Sequence, residues 1–171
     1  MKRVQVSLCF CTVPPTAGPN ANEENASPPY EYFYLYDVGS HLFQRLFVHC
    51  PQAKVLFGFP IDMDPESEDM LTSKRFLSHA AYMLEMIDTA LGLLGPDIEL
   101  LEEMLLELGV KHIRYGVNET MFPHMGVALV ETLEKTLNDN FTSQMKEAWT
   151  DTYDALAGDM IQAQKNAKSK K

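Results

Sequence analysis

Apolar residues recur at three- and four-residue intervals over most of the chain, the period of a helix with one buried face. Leu42, Phe43, Leu46 and Phe47 form such a stripe and predict a helix over about 38–50, interrupted by Pro51. Residues 53–56 predict one further helical turn. Residues 60–69 are acidic and contain prolines, and they predict a loop. Thr72 or Ser73 is placed to cap a helix reaching about residue 94, with Phe76, His79, Met83, Ile87, Ala90 and Leu94 along one face. Gly95-Pro96 closes it. A helix over 97–112 carries Ile98, Leu101, Leu105, Leu108 and His112 on its stripe, with Glu102, Glu103 and Glu107 off it. Gly116 and Asn118 mark the next break. A helix over about 119–137 follows, striped by Phe122, Met125, Leu129, Val130, Leu133 and Leu137. Residues 138–140 form a turn. Thr142 is placed to cap the last helix, whose stripe includes Met145, Trp149, Tyr153, Leu156 and Met160.

Two stretches do not follow this pattern. The aromatic run at 30–36 suits a strand or the start of a helix equally well. Residues 1–29 carry five prolines and several asparagines with no periodic apolar face, which predicts an irregular segment. No internal repeat and no alternating strand pattern occurs. The expected class is all-α, with medium helices and short loops: an irregular segment 1–29, one helical domain over 30–164, and a basic, flexible tail at 165–171.

Composition narrows the function classes. The chain has 171 residues, 46% of them hydrophobic, enough for one domain with its own core. No apolar run approaches the roughly 18–20 residues needed to cross a bilayer, so no membrane role is expected. The formal net charge is -10, and the basic residues cluster only at Lys165, Lys168, Lys170 and Lys171. A nucleic-acid binder needs a basic face, and this chain lacks one. Three cysteines, Cys9, Cys11 and Cys50, give neither a disulfide framework nor a CxxC metal site. They read as free thiols of a reducing, cytoplasmic setting. Lys2-Arg3 with residues 4–13 faintly resembles an export signal, but Gln5 and Ser7 break its apolar part.

Five histidines remain as candidate chemistry. His41, His49 and His124 suit surface or partly buried positions. His79 and His112 each sit on an apolar stripe among Phe, Met and Leu. Either can be a core imidazole satisfied by hydrogen bonds, or a metal ligand. A di-iron bundle needs Glu-x-x-His pairs, and none occurs. Zinc ordinarily takes more Cys or His at close spacing. Haem needs only one or two axial imidazoles and a wide apolar slot.

The order and spacing of these residues resemble the globin family, especially its neuroglobin-like members, from about residue 38 to residue 163. Phe43-Gln44-Arg45-Leu46-Phe47, then Pro51, then Leu56-Phe57, is similar to the family's second helix, proline corner and haem-stacking phenylalanine. Phe57 lies 22 residues before His79, and His79 lies 33 before His112. Phe76-Leu77-Ser78-His79 looks like the distal-histidine helix. Leu108-Gly109-Val110-Lys111-His112 followed by Gly116-Val117 looks like the proximal motif. Ala148-Trp149 with Tyr153 and Met160 matches the last helix.

The resemblance implies haem b as cofactor. His112 would be the proximal iron ligand through Nε2, its other nitrogen donating to a nearby backbone carbonyl. His79 would be the distal residue, acting directly or through a bound gas. Phe57 would lie flat on the porphyrin. Leu108, Val117 and Phe122 would pack the proximal side and rim, and Phe43 and Met83 would line the distal side. Tyr82 or Arg114 is a candidate for a propionate. Dioxygen or another small diatomic gas is the implied ligand, and the oligomeric state is open. Other readings are a six-coordinate redox or signalling globin, a nitric oxide dioxygenase served by an external reductase, and a haem-free helical scaffold. The sequence departs from the family at its start, where the usual first helix is missing or atypical. Its absence would leave apolar surface near Trp149 and Leu156 uncovered.

Overall fold

The computed structural model describes residues 30–169, with side chains from residue 36 onward. Among the described residues there are helices and no strands. In chain order these are α1 (Tyr30–His49), α2 (Ala53–Leu56), α3 (Glu68–Leu71), α4 (Lys74–Leu93), α5 (Ile98–Arg114), α6 (Phe122–Leu137) and α7 (Ser143–Ser169). Short 3-10 turns occupy Glu119–Met121 and Asn138–Asn140.

The helix ends follow their capping chemistry. Ser73, in extended backbone, accepts from the Phe76 amide, and Asp97 accepts from that of Leu100. Thr142 does the same for Met145. The aromatic run is helical: α1 begins at Tyr30, and no Gly or Pro occurs before Gly39 to break it. The helix expected from residue 119 instead begins as a 3-10 turn and becomes α-helical at Phe122, where Pro123 occupies the first turn and needs no amide partner. The acidic loop closes in one turn of helix, α3, which buries Met70.

The core is made by α1 crossing α4 and α6, and by α5 lying along α7. Leu42, Phe43, Phe47, Phe76, Leu129, Leu133 and Trp149 are buried in one cluster. Glycines allow two close crossings. A Cβ on Gly39 would stand 2.7 Å from the Ala80 carbonyl oxygen, and one on Gly109 would stand 2.5 Å from that of Met160. So α1 meets α4, and α5 meets α7, backbone to backbone.

Trp149 is buried and Leu156 is half-buried, so the uncovered surface expected there is not found at Trp149. Residues 1–29 lie outside the described residues, and so do Cys9 and Cys11. Cys50 is a free, buried thiol. Lys165 and Lys168, read above as part of a flexible tail, stand on the last turns of α7 and pair with Glu119 at 3.7 and 3.3 Å. No helix among the described residues is long and apolar enough to cross a membrane.

Candidate functional site

Pro51 and the turn after it swing the chain out of α1 and bring Phe57 back against it. The Phe57 ring meets those of Phe43, Phe47 and Phe76 edge-on, with centroids 5.4, 5.4 and 6.1 Å away. Such edge-to-face pairs fix orientation as well as burying area. Lys54 holds the following loop. It is 5% exposed, and its Nζ donates to the carbonyls of Ile61 and Met63 at 3.1 and 2.7 Å.

The aromatic group is one wall of a cavity of about 680 Å³ between α4 and α5. His79 projects from α4 beside it, 5.3 Å from Phe43 and 5.2 Å from Phe57 between ring centroids. The His79 ring keeps surface open to the cavity. Apolar surroundings push its pKa below the ordinary histidine value, and a charge on His112 or Arg75 would push it further. His112 also reaches the cavity, from the last turn of α5, with Phe122 at 5.9 Å. Burial lowers its pKa too, against a smaller opposite effect from its backbone hydrogen bond.

That bond sets the tautomer. His112 Nδ1 lies 2.7 Å from the Leu108 carbonyl oxygen, which can only accept, so Nδ1 carries the hydrogen. Nε2 is left with its lone pair, the state a metal ligand needs. Both imidazoles are neutral near pH 7, since both pKa values fall below 6.5. Among the described residues no three His, Cys, Asp or Glu side chains gather as a metal site. Two imidazoles alone suit a metal that brings most of its own ligands, and the broad apolar walls suit a flat aromatic carrier. The residues present therefore fit a haem.

All eight residues expected from the sequence line this one cavity: Phe43, Phe57, His79, Met83, Leu108, His112, Val117 and Phe122. Tyr82 and Arg114 line it as well, joined by Arg75 and Tyr115. Tyr82 and Tyr115 are each 64% exposed, which puts hydroxyls at a solvent-facing edge. Sequence reasoning did not single out Arg75, Tyr115 or Met121, because none stands on a stripe or in a motif, and Ser78 stood in the distal-helix motif without a role of its own. Leu46, Met125, Tyr153 and Met160 read only as core positions, and they also reach the cavity. His41, His49 and His124 do not line it. His41 accepts from Lys135, His49 pairs with Glu131, and His124 is exposed.

The Globin family profile matches residues 40–160. Neuroglobin of Dissostichus mawsoni is 33% identical over 124 residues, 72% of this chain and 77% of the relative. Neuroglobin-2 of Oncorhynchus mykiss is 34% identical over 122 residues, 71% of this chain and 76% of the relative. Among solved structures, a hexacoordinated heme protein from an anhydrobiotic tardigrade superposes with a TM-score of 0.68 at 22% identity, covering 77% of this chain and 83% of the other. A Drosophila melanogaster globin gives 0.65 at 20% identity, with 77% and 84% covered.

Proposed function

This chain belongs to the globin family, and from that premise we propose that it holds one haem b between His112 and His79 and binds a small diatomic gas, dioxygen foremost. The observation that carries the proposal is the pair of neutral imidazoles on α4 and α5 reaching one apolar cavity, with the Nε2 of His112 freed by the bond from Nδ1 to Leu108.

When bound, haem would supply a ferrous iron able to bind a gas reversibly. The chain's own residues do the rest. His112 would hold the group through Nε2, and the Leu108 carbonyl makes the imidazole more basic by accepting from its far side. Phe43 and Phe57 keep water from the distal side and brace the His79 ring. His79, its pKa lowered by partial burial, would stay neutral and keep one N–H to donate to a polar diatomic ligand. Met83 narrows the space beside it. Arg75, Arg114, Tyr82 and Tyr115 offer donors for the carboxylates of the group. The free thiol of Cys50 agrees with a reducing, cytoplasmic setting.

A second reading has His79 itself as the sixth ligand. The neutral His79 ring facing the same cavity as His112 favours it. The absorption spectrum of the haem-loaded protein, reduced and free of gas, separates the two. One broad visible band supports an open iron and reversible gas binding. Sharp, split bands support ligation by His79 and a redox or signalling role. Rapid turnover of nitric oxide with an added reductase supports the dioxygenase instead.

A further inference from the structure

Gln164 on α7 has no accessible surface. A buried primary amide is costly unless its polar atoms are bonded. Its Nε2 donates to the Val117 carbonyl at 3.3 Å, while Oε1 has no partner among the described residues. Turning the amide over would set Oε1 against that carbonyl, acceptor facing acceptor, so the donating orientation is the one the site supports.

Val117 is held from its other side as well. Its amide donates to the His112 carbonyl at 3.0 Å. A chain of bonds therefore runs from α7, through Val117, to the backbone of His112, whose imidazole is in turn fixed on Leu108. Two further contacts brace the same region. Lys165 and Lys168 pair with Glu119, two residues beyond Val117. Gly109, three residues before His112, is pressed on Met160 of α7.

We propose that Gln164 is a positioning residue for His112: it ties the turn after α5 to α7 and so holds in place the backbone from which the His112 Nε2 would hold the haem. The proposal rests on the haem reading above. A residue kept for packing alone would be better apolar, because Oε1 is buried without a partner. The amide is explained by what its other end holds.

Gln164→Met keeps the volume and removes the donor. Two readouts are compared with the unsubstituted protein: hydrogen exchange of the Val117 amide in the haem-free chain, and haem dissociation from the loaded chain into an excess of an apoprotein acceptor. Each is expected to speed up about fivefold, the factor that loss of one ordinary hydrogen bond gives. Unchanged rates in both would overturn the proposal, whatever the variant does to the melting temperature. If the unsubstituted protein takes up no haem, the haem reading fails by itself, and positioning towards iron falls with it. The exchange arm then still decides whether Gln164 fixes the turn. Should Gln164→Met not fold, the unsubstituted chain provides the test. The Gln164 side-chain amide protons are expected to exchange in step with the Val117 amide, and independent exchange contradicts the tie.

Discussion

Arg45 and His49 converge on a single oxygen, Oε2 of Glu131, at 2.6 and 2.9 Å. The three side chains join α1 to α6 on the outer side of the core. The Arg45 hydrogen bond holds the Glu131 carboxyl below its ordinary value of 4.5, with a smaller contribution from His49 and some opposition from burial. A carboxyl with a folded pKa below its unfolded one stabilises the fold above the unfolded pKa and loses that contribution as pH falls through the folded pKa. Glu131→Gln is therefore expected to cost about 0.5–1 kcal/mol at pH 7, the range for a partly exposed ion pair. The difference should shrink as pH falls below 4.5 and vanish once the pH lies below the lowered folded pKa. Urea unfolding of both proteins across that range checks it, and a difference independent of pH would contradict it.

Gly39 allows α1 to touch α4 at Ala80. Gly39→Ala puts a methyl 2.7 Å from a backbone oxygen that cannot rotate away. The helices must part, and overpacking of this kind costs about 1–3 kcal/mol. Thermal unfolding is expected to show a lower midpoint for Gly39→Ala. Gly92→Ala, with open space around it, should be no less stable than the parent.

Tyr153 is buried, and its hydroxyl donates to the Phe122 carbonyl at 3.0 Å. Burial raises its pKa, so the phenol keeps its proton at any ordinary pH. Tyr153→Phe leaves the carbonyl without this donor and is expected to cost about 1–2 kcal/mol. Because Phe122 lines the cavity and packs on His112, the variant should also shift the visible spectrum of the haem-loaded protein. A large loss of stability with an unaltered spectrum would separate Phe122 from the site.

Lys54 is buried with its ammonium on two loop carbonyls. Lys54→Met keeps the stem and removes both bonds, leaving the carbonyls of Ile61 and Met63 unanswered. Limited proteolysis should then cut first between residues 58 and 67, at a protease level that leaves the parent intact. Equal resistance of the two proteins would show that the lysine does not hold the loop.

Much of this was legible in the sequence because helices announce themselves by period. The stripes of α1, α4, α5, α6 and α7 are real, and every residue named for the pocket reaches it. The aromatic run at 30–36 has no period of its own, so strand and helix stayed open there, and its helicity comes from continuity with α1. The departures elsewhere have local causes. Leu94 and Ile98 read as core but are 41% and 48% exposed, because they flank the corner at Gly95-Pro96, where no neighbour covers them. Ala80, Ala128 and Ala157 stand on none of the stripes named above, yet they are buried, Ala80 where α1 meets α4. Lys54 and Gln164 could not be found by pattern at all. Each is a polar residue in the core whose reason is a carbonyl distant in sequence or placed by a loop.

If His112 holds the haem as proposed, a haem titration followed by absorbance will show it. The unsubstituted protein is expected to saturate at one equivalent with a sharp Soret band. His112→Gly should lose most of that band and regain it when free imidazole is added. A His112→Gly titration with the same stoichiometry, affinity and band as the parent would rule out His112 as the haem ligand.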